Sequence, residues 1–479
     1  MRVVDVAIVG AGSAGMQAYK AAKRWTDSVV LIEGGAYGTT CAREGCMPSK
    51  LLIAAAEHAH AARGASVFGV EMGEVRVDGR AVMARMHRMR DAFVAGVLSA
   101  IEAMPDEDKL EGHARFREPG MLDVDGEQVR AGRIVLATGS VPRVPDQIRE
   151  GAGPRCLTIA DLFELDDLPE SLVVLGAGVI GIEAAQMMAR LGVRVRCLSK
   201  GGAVANLTDE RVSGVAATIL GGEFPLAPDA DIQEVSNDGQ SVSVTFAVDG
   251  EAHTERFDYA LAATGRVPNV EGLALENAGL RLNEHGVPLA DRATCQAKAG
   301  EGPEGAPVFV AGDVEGNDPV LPVAVDDGRI AGDNAGRWPE VKAHERKAGL
   351  LITYTRPSIG VCGMSLEAIR EAGLDHRVGE ASFADQGRAK IEDRAKGLVR
   401  VYGEWATGRI LGAELVAPDG EHHAHLISWL IGMHATVANA LAMPVYHPCT
   451  EEAIRSALRE LARELLLDDL PVERIMPGH

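Results

Sequence analysis

Long apolar runs are missing from this chain. No stretch of its 479 residues reaches the roughly 18 apolar residues a membrane helix needs, so no membrane partner is expected. Positive charge is scarce as well: 48 Lys and Arg stand against 69 Asp and Glu, a net charge of -21. Nucleic-acid phosphates attract basic faces, so a nucleic-acid partner is not expected either. Cysteines number seven, an odd and mostly scattered set that does not fit a secreted disulfide framework. No basic-then-apolar leader opens the chain; Met1-Arg2-Val3-Val4-Asp5 runs straight into a strand-like stretch. A cytoplasmic location is the expectation. What is present is a globular composition, 46% hydrophobic and 24% charged, in a length suited to about three domains of 100–200 residues.

Two segments carry the same pattern. Val3 to Val9 reads as a buried parallel strand, Gly10-Ala11-Gly12-Ser13-Ala14-Gly15 as a turn, and a helix runs on through Arg24. A second strand, Ser28 to Ile32, ends at Glu33, 23 residues after Gly10. Glycines between strand and helix, with an acid at that distance, form a dinucleotide-binding fingerprint. Gly10, Gly12 and Gly15 let the backbone approach a pyrophosphate at a helix N-terminus, and Glu33 accepts hydrogen bonds from a ribose. The pattern returns with Leu172 to Leu175 as strand, Gly176, Gly178 and Gly181 in the turn, a helix from Ile182 to Leu191, and Val193 to Leu198 as strand. Here the acid is missing: 23 residues after Gly176 stands Ser199, followed by Lys200. A small hydroxyl beside a cation suits the 2′-phosphate of NADP(H), with NAD(H) as the alternative. Two dinucleotide units imply two dinucleotides, a flavin and a nicotinamide.

Cys41 and Cys46 are the only cysteines close in sequence, and they follow the first unit directly. Pro48 and Ser49 read as the opening of a helix that reaches about Arg63, with Gly64 as its stop. Cys46 then sits at a helix N-terminus, where the dipole favours a thiolate. Two such thiols can close an exchangeable disulfide. A zinc site needs two further ligands at suitable spacing, and the other cysteines do not pair, so no metal is expected.

Seven motifs stand in order: GAGSAG, CAREGCMPSK, ATGS at Ala137 to Ser140, GAGVIGIE at Gly176 to Glu183, ATGRVPN at Ala263 to Asn269, AGD at Ala311 to Asp313, and HPCTEE at His447 to Glu452. Through them the chain resembles, over essentially its whole length, the class I pyridine nucleotide–disulfide oxidoreductases, a family that includes dihydrolipoyl dehydrogenase, glutathione reductase and mercuric reductase. The resemblance implies an α/β fold with two Rossmann-like dinucleotide-binding domains, for FAD and NAD(P), and a C-terminal α+β dimerisation domain. It implies that Cys46 is the thiol nearest the flavin and forms the charge-transfer thiolate, while Cys41 exchanges with the substrate. Lys50 beside the flavin, Glu183 as its ion-pair partner and Asp313 at the FAD ribitol follow in the same way. Thr40, Thr138, Gly139 and Gly265, within the shared motifs, count among the cofactor-binding positions. His447 and Glu452 match the family's acid–base pair, which enters the active site from the other subunit of a homodimer.

The activity so implied is FAD-dependent dithiol/disulfide exchange of the dihydrolipoyl dehydrogenase type. Its thiol partner is a small-molecule dithiol or disulfide, or a lipoyl-carrying protein. The alternatives are an NADPH-dependent reductase of a low-molecular-weight disulfide and a quinone-reducing flavoprotein. The expected division is 1–145 for FAD, 146–270 for NAD(P), 271–345 as a central segment completing the FAD site, and 346–479 for the interface. Departures from the family pattern fall at Ser199 and Lys200, at Pro322-Val323-Ala324-Val325, at Ser358 for a usual glutamate, and at Cys449 for a usual threonine. His422, His423 and His425 are read as a solvated or dimer-contacting face, His58 and His60 as solvated too, and Ala299 to Pro307 as a surface loop.

Overall fold

The computed structural model describes residues 1–300, 306–317 and 319–467. The chain forms two compact units. One is assembled from Met1–Leu51, Ala84–Arg143 and Gly265–Arg346, the other from Leu52–Met83, Val144–Thr264 and the chain from Lys347 onward.

The first unit is built on Arg2–Val9, whose Val6, Ala7 and Ile8 are all fully buried. Successive strand residues point to opposite faces, so burial at consecutive positions means a sheet covered on both sides. The strand pairs in parallel with Val29–Glu33 on one side and Glu127–Leu136 on the other; Lys109–Glu111 extends the first edge. Glu127–Leu136 is long enough to serve two neighbours. Its start pairs antiparallel with Met121–Val124, which turns back to Ala114–Glu118, and its end pairs in parallel with Val308–Val310. Helices Ser13–Ala22 and Leu321–Arg337 lie against each other, and glycines let them do so. A Cβ on Gly328 would stand 2.1 Å from the Ala14 carbonyl oxygen, and one on Gly332 would stand 2.2 Å from that of Ala18.

The second unit repeats the parallel arrangement, in the order Leu226–Ala227, Arg194–Leu198, Ser171–Leu175, Tyr259–Ala262, Cys156–Leu157. Helix Val179–Arg190 follows Ser171–Leu175. A three-stranded antiparallel sheet, Asp231–Asn237, Val242–Val248 and Glu251–Phe257, is inserted before Tyr259–Ala262. The C-terminal part is a five-stranded antiparallel sheet, in the order Leu350–Thr353, Ser358–Gly363, Ile410–Ala417, Leu398–Glu404, His376–Ser382. Helix Glu452–Glu464 packs on it through Ala453, Ile454, Ala457, Leu458 and Leu461, the three- and four-residue spacing of a single helix face. Helix Gly420–Gly432 packs beside it and carries a second stripe, Leu426, Trp429 and Met433, that remains exposed.

Both expected strand–turn–helix units are therefore present, with ends displaced by one to three residues. The helix after the cysteines spans Cys46–Gly64. The expected loop from Ala299 to Pro307 lies partly outside the described residues. Among the described residues no helix is long and apolar enough to cross a membrane.

Candidate active site

The two glycine turns are built alike, and their three glycines serve different ends. Gly10 has φ +104, and a Cβ there would meet the Ala137 carbonyl oxygen at 2.3 Å; one on Gly15 would meet the Gly10 carbonyl oxygen at 1.8 Å. Gly176 repeats this with φ +120 and 2.2 Å to the Ala263 carbonyl oxygen, and Gly181 with 1.9 Å to that of Gly176. These four glycines are demanded by the chain itself. Gly12 has no atom within 4 Å of the Cβ position, and Gly178 has only Asn206 Oδ1 at 3.8 Å. Packing asks for no glycine there, whereas a pyrophosphate approaching the N-termini of Ser13–Ala22 and Val179–Arg190 does. The residues present thus fit two dinucleotides. Glu33 accepts from the Ala11 amide at 2.7 Å and the Gly35 amide at 2.8 Å, so its carboxylate is oriented at the turn with lone pairs to spare.

Facing this turn in the same unit is a polar brace that the sequence reading did not pick out. Ser140 Oγ donates to Asp313 Oδ2 at 3.0 Å; Arg266 donates from Nε to Ser140 Oγ at 2.8 Å and from a terminal nitrogen to the Ser140 carbonyl at 2.6 Å. Burial draws the Arg266 guanidinium below its usual value, against the pull of Asp313 and Glu44. Thr138 Oγ1 donates to the Asn269 carbonyl at 2.7 Å, and the Asn269 amide to the Gly139 carbonyl at 2.9 Å. Ser140, Arg266 and Asn269 all lie inside quoted motifs, which was the available signal. Gly139 and Gly265 hold φ of +71 and +103 in these two turns.

Cys41 lies in the short helix Thr40–Arg43, capped by Thr39 Oγ1 on the Ala42 amide at 3.3 Å; Cys46 is the first residue of Cys46–Gly64. Both sulfurs stand as thiols, in hydrogen-bond contact with each other. That bond, with burial second, pushes the Cys41 thiol well above the ordinary range, while the Lys50 charge pulls it down. Lys50 follows Cys46 by four residues and so shares its face of the helix.

In the second unit Ser199 closes the strand Arg194–Leu198, its amide bonded to the Ala227 carbonyl at 3.0 Å. Lys200 is exposed, with its Nζ 3.8 Å from an equally exposed Asp231, a separation worth little in water. The loop beyond returns to a fully buried carboxylate, Glu414. It accepts from the Thr208 amide at 2.7 Å, Thr208 Oγ1 at 2.6 Å, the Asp209 amide at 3.0 Å and the Leu366 amide at 3.0 Å. Glu183, buried on Val179–Arg190, accepts from the Tyr354 amide at 2.7 Å.

His447 and Glu452 stand together. Imidazole Nδ1 lies 2.9 Å from Glu452 Oε1, and the Cys449 amide donates to Glu452 Oε2 at 3.3 Å. The bond to His447, first, holds the Glu452 carboxyl below its usual range. The histidine cluster needs a correction: His423 does not face solvent or a partner. It is 1% exposed, stacked on Phe383 at 5.7 Å between ring centres, with Nε2 3.1 Å from Thr450 Oγ1, because helix Gly420–Gly432 turns that residue inward. His60 is also half-buried, and burial lowers its pKa. At the other departures, Ser358 Oγ donates to Glu421 Oε2 at 2.7 Å, and Cys449 Sγ lies 2.8 Å from the Tyr446 carbonyl oxygen. Among the described residues no group of three or more His, Cys, Asp or Glu gathers as a metal site.

Comparison with known proteins agrees with this geometry. The pyridine nucleotide-disulphide oxidoreductase family matches residues 4–328, and the dimerisation domain of the same family matches residues 351–458. The chain is 31% identical to mercuric reductase of Streptomyces lividans over 424 residues, 86% of each chain. It is 29% identical to dihydrolipoyl dehydrogenase of Bacillus subtilis over 476 residues, 95% of this chain and 98% of that one. Among solved structures, the Cu(II) complex of the HOCl-induced flavoprotein disulfide reductase RclA from Escherichia coli superposes with a TM-score of 0.79 at 25% identity, covering 98% of this chain and 100% of that one. LpdA from Mycobacterium tuberculosis gives 0.79 at 26% identity, covering 96% and 100%. With two open-glycine turns, a thiol pair and a matching dimerisation domain in one chain, this protein belongs to the pyridine nucleotide-disulphide oxidoreductase family, as a homodimeric flavoprotein enzyme that binds FAD and a pyridine nucleotide.

Proposed function

We propose that the enzyme exchanges electrons with a dithiol of the dihydrolipoyl kind, free or carried on a protein, and prefers NADP(H) as its nucleotide. The observation that carries this reading is the Cys41–Cys46 thiol contact, with Cys46 at the head of a 19-residue helix and Lys50 one turn on. The helix dipole favours negative charge on Cys46, so the shared proton stays on Cys41, the sulfur left for exchange. In the oxidising direction a substrate thiolate attacks Cys41 Sγ of the disulfide, releasing Cys46 as thiolate. The second substrate thiol then displaces Cys41 and closes the substrate disulfide, so two electrons and the disulfide bond change places. His447 of the partner subunit takes the proton, and Glu452 stabilises the imidazolium. Bound FAD supplies the two-electron relay between this pair and the nicotinamide.

We assign the FAD to Gly12, Glu33, Thr40, Thr138, Gly139, Gly265 and Asp313, with Lys50 and Glu183 as the ion pair beside it. The nucleotide falls to Gly178, Ser199 and Lys200; the exposed ammonium of Lys200, only loosely engaged by Asp231, favours a 2′-phosphate. The domain limits 1–145, 146–270, 271–345 and 346–479 and a cytoplasmic setting go with this reading. Its rival is an NADPH-driven reductase of a small disulfide or, as the relatives' names bring in, of Hg(II) or Cu(II). Steady-state assay of lipoamide, glutathione disulfide, Hg(II) and Cu(II) with NADH and NADPH separates them. Lipoamide turnover with NADPH preferred, abolished in Cys41→Ser, is expected. Turnover of glutathione disulfide or a metal ion alone sinks the lipoyl assignment, and full activity in Cys41→Ser sinks the thiol mechanism.

A further inference from the structure

The loop that carries the acid–base pair is tied down twice by groups with no assigned part in the reaction. Gln386 Nε2 donates to the Cys449 carbonyl at 2.7 Å, and its Oε1 accepts from the Ala389 amide at 2.7 Å, capping helix Gly387–Ile391. One partner is a donor and the other an acceptor, so the orientation of this carboxamide is fixed by both ends. One residue on, Thr450 Oγ1 meets His423 Nε2 at 3.1 Å, and His423 stacks on Phe383. Phe383 accepts from the Gln386 amide at 3.1 Å, so a single turn, Phe383–Gln386, underlies both ties.

Between the ties sits Cys449. Its amide donates to Glu452 Oε2 at 3.3 Å while its carbonyl receives Gln386. Both peptide planes flanking its Cα are therefore held, one by the catalytic carboxylate and the other by Gln386. With the helix Glu452–Glu464 fixing Glu452 from the other side, the backbone that aims His447 has little freedom left.

We propose that Gln386 is a positioning residue for the acid–base pair, acting through the Cys449 carbonyl to hold His447 and Glu452 in the geometry of proton transfer. This rests on the thiol mechanism above. Misplacing a catalytic group by about 1 Å costs up to about a hundredfold in rate, so the effect belongs in the thiol half-reaction. Electron exchange with the nucleotide does not use His447 and is untouched.

Rapid mixing of the holoenzyme separates the halves: flavin reduction by NADPH, and flavin reoxidation by lipoamide. Gln386→Glu keeps the shape and the capping acceptor but presents an oxygen to the Cys449 carbonyl. Gln386→Ser keeps a capping hydroxyl with no reach to Cys449. In both variants the lipoamide half-reaction is expected to slow by about tenfold to a hundredfold, with the NADPH half-reaction, dimer mass and melting temperature as in wild type. Arg388→Ala, which cuts only the exposed pair with Glu392 on the same short helix, leaves both halves unchanged. A wild-type lipoamide rate in both Gln386 variants overturns the proposal. So does a parallel fall of both half-reactions with the melting temperature, since Gln386 is then merely structural. Failure of the parent reading shows separately, as wild-type inertness to lipoamide or as a His447→Gln variant of undiminished lipoamide rate.

Discussion

At the scale of single residues, the turns divide glycines that look identical in the sequence. Gly12 and Gly15 stand three apart in one motif, yet an added methyl meets open space at the first and a carbonyl oxygen at 1.8 Å at the second. Gly15→Ala is therefore expected to overpack the strand–turn–helix junction, at a cost of roughly 1–3 kcal/mol. Gly12→Ala leaves the apoprotein intact and obstructs only what binds there. Thermal melting of flavin-free protein, beside the flavin-to-protein ratio after reconstitution, checks the pair. The expected result is a lowered melting temperature for Gly15→Ala alone and a lowered flavin ratio for both. An unchanged flavin ratio in Gly12→Ala would remove that turn from the FAD site. The sequence shows which glycines matter, since the motif is local; which of them serve the fold depends on Ala137, more than a hundred residues away. The Ser140–Arg266–Asp313 brace was hidden for the same reason, joining three motifs that the sequence keeps far apart.

At the scale of elements, local patterns were readable and crossings were not. The all-apolar stretch Val6–Val9 and the acid after Val29–Ile32 announce strands and a turn from within one window. Nothing in such a window says that Gly328 and Gly332 face Ala14 and Ala18. That pairing explains an otherwise unfavourable choice, because glycine inside a helix costs about 1 kcal/mol relative to alanine. Here the contact wins. A Cβ on Gly332 at 2.2 Å from the Ala18 carbonyl oxygen must push the helices apart, at about 1–3 kcal/mol. Gly332→Ala is accordingly expected to lower the urea midpoint despite its better helix propensity; a raised midpoint would show that the two helices yield easily.

At the scale of the whole molecule, charge and apolar surface oppose each other. Each chain carries -21, so two copies repel, more strongly as salt is withdrawn and the screening length grows past about 10 Å. Against this stands the exposed stripe of the dimerisation domain, where Trp429 is 66% exposed and Tyr446 85%. Sedimentation is expected to show the dimer weakening at low ionic strength, and Trp429→Glu to yield monomers that keep nucleotide-driven flavin reduction and lose lipoamide turnover. Monomers with full lipoamide turnover would place the proton acceptor within one chain. Neither the stripe nor its use could be read from composition, because the apolar residues of helix Gly420–Gly432 divide between a buried face and an outward one only once the helix is docked.

The buried Glu414 has a consequence for how this enzyme can change. It grips Thr208 and Asp209, at the far end of the loop that begins with Ser199 and Lys200, while backbone bonds to Ala227 and Ala230 secure the near end. The tip is thereby insulated from the folding of its surroundings. Mutation can rewrite the two residues that meet the ribose, trading one nucleotide pool for another, without first repairing the scaffold. Coenzyme preference becomes an exchangeable part of the molecule, open to natural drift and to engineering alike.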